Sequence, residues 1–172
     1  MLRLMKKAPF IFILSLLVLS VFCNSCKKQE TSSIENLFSQ GNWELATVIT
    51  TVSVGTTRES EDTLNTMCDK KQIFSFSKDH TCIYTNFQCK AQPDAAGTWS
   101  LSQDQLYLRS DIVCQDTFKL GTGKSKPFEN AQIVTLGQYA MVLVTGDIQN
   151  YSATQRRTVR RYGFVKQKIA TR

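Results

Sequence analysis

The chain carries a single histidine, His80, and no Cys-x-x-Cys pair beyond residue 26. Both absences narrow its chemistry. A hydrolase triad needs a base oriented by a third group, and His80 stands in the turn phrase "KDHT", where solvation is its plain reading. Zinc and copper sites need several convergent His or Cys ligands, so no metal is expected. No glycine-rich phosphate loop appears, and no close carboxylate pair falls on an inward face. The sequence therefore points away from an enzyme and implies no cofactor. Helix-period patterning is also nearly missing. The longest apolar run, Ala8–Phe22, has 15 residues, short of the about 20 that a membrane-spanning helix requires.

That apolar run has a different use. Arg3, Lys6 and Lys7 precede it and "CNSCKKQE" follows, the layout of an export signal. Ser25, a small residue, directly precedes Cys26, so residues 1–25 read as a lipoprotein signal, with Cys26 diacylated after cleavage. Cys23 stands where a leucine-like residue is usual, and the alternative is an ordinary signal that releases a secreted protein. Acylation anchors the chain to a membrane outside the cytoplasm, which places it in the envelope of a Gram-negative bacterium, on the periplasmic or surface face of the outer membrane. Residues 26–33 form the tether and 34–172 the domain. Removing 25 residues from 172 leaves 147, enough for one domain with a modest core. It keeps all 14 acidic residues and 18 of the 21 basic ones, a formal charge of +4. This is too mild for a nucleic-acid partner, and the late "RRTVRR" run lacks interleaved stacking aromatics. It reads as a solvated strand face. A monomer is expected.

A helical turn is expected over Ser32–Phe38, where Ser32 and Glu35 have capping-box spacing. The remainder reads as eight strands, at 43–53, 71–77, 81–88, 97–102, 105–110, 131–136, 139–145 and 159–167, with the segment 111–130 unassigned. Their connections alternate. Tight turns at "KDH", "QD" and "GQ" alternate with long polar links at 54–70, 89–96, 111–130 and 146–158. In an up-and-down antiparallel sheet this puts every tight turn at one end and every long loop at the other. The expected fold is all-β: an eight-stranded closed barrel with one sealed end and one loop-rich mouth.

Four cysteines remain in the domain: Cys68, Cys82, Cys89 and Cys114. An even count in an exported chain suggests disulfides. The register of the 77–81 turn sets Cys68 opposite Cys89 at the mouth side. By elimination Cys82 then bonds Cys114, although the layout puts the first near the sealed end and the second in a mouth loop.

"GNWEL" at 41–45 opens the first strand, and "GTWSL" returns at 97–101. With "IFSFSKDHT", "AAGTWSLSQDQLYL", "QIVTLGQYAMVLV" and "RRYGFVK" in order, the chain resembles the lipocalin superfamily, and more narrowly the lipocalin-like lipoproteins of Bacteroidetes. The resemblance covers nearly all of the mature chain. It implies that Gly41 and Trp43 are structural, with Trp43 plugging the sealed end. Trp43, Leu45, Thr47 and Ile49 are expected on one face, and Trp99 nearer the mouth, at the start of a descending strand.

Period-two alternation aims Phe74, Phe76, Cys82, Tyr84, Leu106, Leu108, Met141, Leu143, Tyr162 and Phe164 inward. Phe74, Phe76, Tyr84, Trp99, Leu108, Met141, Arg160 and Tyr162 are the candidate ligand-binding residues. Arg160 shares the parity of Tyr162, and this Arg-x-Tyr resembles the carboxylate clamp of the fatty-acid-binding branch of the superfamily. Its other readings are a rim position in water and a pair with an internal acid. Two functions stay open: binding of a small hydrophobic or amphipathic ligand in the mouth, or contact with another envelope protein through the long loops of a solid barrel.

Overall fold

The computed structural model describes residues 34–64, 66–116 and 123–168. The expected signal peptide, the acylation site Cys26, the tether and Ser32 lie outside the described residues. Residues 37–172 form one compact unit; of the other, 1–36, only the start of a helical turn at 34–39 is described.

Eleven strands follow among the described residues: β1 (Asn42–Val54), β2 (Thr57–Leu64), β3 (Ile73–Phe76), β4 (Thr81–Thr85), β5 (Ala95–Leu101), β6 (Tyr107–Ser110), β7 (Cys114–Gln115), β8 (Lys124–Ser125), β9 (Ala131–Leu136), β10 (Ala140–Gly146) and β11 (Arg156–Lys166). Eight of them close the barrel in the order β1-β3-β4-β5-β6-β9-β10-β11, and β11 returns to pair with β1. The expected eight-stranded antiparallel barrel is the fold. The β3–β4, β5–β6 and β9–β10 turns share the sealed end and the long links share the mouth, because each strand reverses the direction of the last.

Three elements depart from the sequence reading. Residues 57–64, expected as loop, form β2, which pairs with the mouth half of β1 while β3 pairs with its sealed-end half. β2 and β3 are thus two pieces of one line along β1, interrupted by an excursion at 65–72. The segment "TRESEDTL" is hidden from pattern reading because most of it is exposed on both faces. A bulge between Leu45 and Thr47 also breaks the alternation of β1. Trp43, Leu45 and then Val48 point inward, while Thr47 is exposed and Ile49 is only half-buried. Leu106, expected inside, is 55% exposed, because it closes the β5–β6 turn ahead of the strand.

The two tryptophans stand at the same end. Trp43 is fully buried; its indole Nε1 donates to the Phe38 carbonyl at 2.9 Å and Lys166 Nζ lies 5.0 Å from its ring centre. Trp99 Nε1 donates to the carbonyl of Ser77, in the β3–β4 turn, at 3.0 Å, and its ring lies 5.6 Å from that of Phe38. The mouth position expected for Trp99 is therefore corrected. β5 begins at Ala95, so by Trp99 the chain has already reached the sealed end. The two preceding glycines serve different needs. Gly41 has φ +116°, a region that favours glycine, whereas a Cβ at Gly97 would collide with the Asp111 carboxylate that accepts from the Thr98 amide.

Cys68 and Cys89 form a disulfide, with their Cα atoms 5.2 Å apart. The Cys82–Cys114 disulfide does not exist; both are free and buried. Cys82 sits beside the sealed-end turn with its sulfur 3.2 Å from Ser110 Oγ, whereas Cys114 lies in β7, beyond the mouth end of β6.

Candidate functional site

Aromatic side chains fill the barrel. Phe74 contacts Phe76, Tyr84 and Phe164 at ring-centre distances of 4.1, 5.1 and 6.2 Å. The ring that completes the packing comes from a loop. Phe128, in the link between β8 and β9, is fully buried and lies 4.9 Å from Phe74, 5.0 Å from Tyr162 and 5.5 Å from Tyr84. It closes the interior from the mouth side. Of the candidate ligand-binding residues, Phe74, Phe76, Tyr84, Leu108 and Met141 are buried in this packing and Trp99 in the sealed-end cluster. Burial pushes the Tyr84 hydroxyl well above its usual range, and the neighbouring Tyr162 and Cys114 add to the shift.

Arg160 and Tyr162 are placed differently. They line two pockets at the mouth, which share both side chains. The smaller, about 210 Å³, is walled by Val48 and Leu64 on one side and by Gln72, Phe87 and Gln88 on the other. Its second wall hangs on the disulfide. Gln72 is buried, its Nε2 lies 3.7 Å from both cystine sulfurs, and its Oε1 accepts from the Gln88 amide at 3.0 Å and from the Tyr84 hydroxyl at 3.3 Å. The chain turns sharply there: Asn86, Gln88 and Cys89 all have positive φ, between 53° and 58°. The larger pocket, about 580 Å³ and open to solvent, lies between the ends of β10 and β11 and the segment 125–130.

In the larger pocket Arg160 faces an acid. Asp116, 5% exposed, holds its Oδ2 3.9 Å from Arg160 Nη1 while its Oδ1 accepts from Gln88 Nε2 at 2.8 Å. The parity of β11 thus does turn Arg160 toward the barrel, and the partner is an internal carboxylate. Burial raises the Tyr162 hydroxyl above its ordinary value; Arg160 opposes this through its charge and a hydrogen bond, Asp116 adds to it, and Thr145 opposes it by hydrogen bonding. The rest of the basic run is spread out. Arg156 pairs with Glu59 of β2 at 2.9 Å, and Arg157 donates to Ser53 at 2.8 Å.

Residues 24–148 match the family profile of a domain of unknown function, DUF5004. The chain belongs to the DUF5004 family. The match runs through β10 and stops before β11, the strand that supplies Arg160 and Tyr162. No curated protein matches the chain. The closed barrel of this DUF5004 protein fits a lipocalin-like fold.

The sequence reading missed Val48, Leu64, Gln72, Phe87, Gln88, Asp116 and Phe128. Two of these left a trace. Phe128 is the aromatic of the polar stretch "KSKPFEN", and Asp116 lies two residues from a cysteine with no matching partner. The others depend on the β1 bulge and on the left-handed turn at 86–89, which no residue pattern announces.

Proposed function

We propose that this DUF5004 protein is an envelope-anchored binding protein that holds a small amphipathic ligand at the barrel mouth. The observation that carries this reading is the pair of adjoining pockets sharing Arg160 and Tyr162, one largely apolar and one polar, above an interior plugged by Phe128. A ligand seated there rests across the mouth, with its apolar part against Val48, Leu64 and Phe87. The 210 Å³ cleft is below the range of about 300–1,000 Å³ usual for drug-sized sites, so a short apolar group suits it better than a long acyl chain. Anchoring through Cys26 to a Gram-negative envelope rests on the signal and lipobox pattern of the sequence. Native mass spectrometry of protein purified from its own envelope tests the reading. A co-purifying small mass that is lost from Leu64→Trp supports it, and a bare protein at every collision energy contradicts it.

A second reading has its own observation. The packed interior also suits a protein-binding module that contacts an envelope partner through its mouth loops. The same purification separates the two, because this reading predicts a co-purifying chain and no small mass.

A further inference from the structure

Exposed apolar side chains gather on one sector of the sealed rim. Leu106, Val134, Tyr139 and Val165 are 55, 46, 71 and 45% exposed, and they lie on or beside β6, β9, β10 and β11, which are consecutive in the barrel. Leu106 closes the β5–β6 turn, and its carbonyl accepts from the Ile133 amide at 2.8 Å, one residue before Val134. Tyr139 ends the β9–β10 turn, and its carbonyl accepts from the Lys166 amide at 2.9 Å, one residue after Val165. Lys168 is exposed just beyond. The nearby carboxylates are engaged: Asp104 accepts from the Leu106 amide at 3.1 Å, and Glu44, opposite Val165, lies 3.4 Å from Lys71. Single exposed apolar residues are ordinary on a surface, whereas grouped ones mark a contact. Tyrosine, aliphatic side chains and lysine together suit a lipid interface, where the ring sits among head groups and the ammonium faces anionic lipid.

The attachment of the chain argues for the same occupant. The Phe38 ring lies 5.1 Å from Phe76 and 5.6 Å from Trp99, so the compact unit that begins at Leu37 starts at the sealed end. Cys26 precedes Leu37 by 11 residues, which reach at most about 36–40 Å. The 11 residues of β11, at about 3.3 Å each and tilted by about 40°, set the mouth about 28 Å from the sealed end. Turning the mouth to the bilayer would use most of that reach along the barrel wall. With the sealed end down, the tether stays slack.

We propose that the sealed rim formed by Leu106, Val134, Tyr139, Val165 and Lys168 rests on the lipid bilayer that holds the anchor. The mouth then points away from the membrane, and its ligand arrives through water rather than sideways from the lipid. This inference rests on the reading of Cys26 as an acylated anchor and specifies how the anchored domain is oriented.

The test uses the full-length acylated protein on vesicles of phosphatidylethanolamine and phosphatidylglycerol in which a share of the acyl chains carries bromine, a short-range quencher of indole fluorescence. Tyr139→Trp sets a reporter on the rim, and Tyr151→Trp sets one in the β10–β11 link at the mouth, where Tyr151 is 82% exposed. The native protein supplies the background from Trp43 and Trp99. When brominated lipid replaces ordinary lipid, the indole at 139 should lose fluorescence and the one at 151 should not. Leu106→Ser combined with Val165→Ser should reduce the loss at 139 while the protein still floats with the vesicles, which separates rim contact from anchoring. Stronger quenching at 151 overturns the orientation. Quenching at neither position, in protein that floats, also overturns it; the anchor then stands and the rim is left to a protein partner. Protein that does not float with the vesicles overturns both the orientation and the anchoring.

Discussion

Phe128→Ala should separate a plugged barrel from an open one. The ring is fully buried and lies within 6.3 Å, centre to centre, of Phe74, Tyr84, Tyr162 and Phe164. Truncating such a phenylalanine costs about 3–5 kcal/mol, from lost transfer free energy and from the cavity left behind. A domain's net stability is only about 5–15 kcal/mol, so the urea midpoint should fall sharply. The position of the ring adds a second expectation. Since Phe128 separates the mouth from the aromatic core, the cavity should join the 210 Å³ cleft and admit apolar probes that the native protein excludes. Urea unfolding gives the first quantity, and titration with a fluorescent naphthylamine probe the second. A loss below about 1 kcal/mol would mean the site collapses or the ring is not a plug. A stability loss with no gain in probe uptake would refute the proposed connection between core and mouth.

The four domain cysteines should divide cleanly in thiol chemistry. Reduction of Cys68–Cys89, separated by 21 residues, should cost about 3 kcal/mol on loop-closure grounds and loosen the Gln72 and Phe87 wall, seen as a lower melting temperature with reductant. Cys82 and Cys114 should resist alkylation in the native protein and react fully in denaturant, since burial raises both thiols, Cys114 to about 12. The sign of the pH effect follows. Cys114 has a higher pKa folded than unfolded, so its contribution to stability is complete below pH 9 and is lost as pH rises from 9 toward 12; denaturation midpoints should fall over that window, and less so in Cys114→Ala. Gly41→Ala should destabilise by about 1–3 kcal/mol by thermal melt, because φ +116° is strained for any residue with a Cβ.

Much of the fold was legible because it depends on patterns that local chemistry enforces. Alternation such as "YAMVLVT" fixes a strand with one buried face, and the contrast of tight and long links fixes which end is sealed. The misreadings arose where geometry overrides pattern. One inserted residue near Ala46 exchanges Thr47 and Ile49 for Val48 on the inner face. The small residues Ala95 and Ala96 hide the true start of β5, which moves Trp99 to the opposite end. Charged β2 resembles a loop because it borrows its regularity from β1 and has little apolar face of its own. The site was half legible. The parity of Arg160 with Tyr162 is written in β11, but Asp116 reaches it from a segment whose path depends on the whole barrel being closed.

The central claim is that binding occurs at the mouth above a solid core, and methyl-resolved NMR during titration with n-octyl β-D-glucoside tests it directly. The account predicts shifts at Val48 and Leu64, which line the apolar cleft, and at Thr145 and Thr158 in the polar pocket, with Leu108, Met141 and Leu143 of the sealed interior unmoved. Shifts concentrated on Leu108, Met141 and Leu143 would contradict it, because the ligand would then occupy the space assigned to Phe128 and its neighbours.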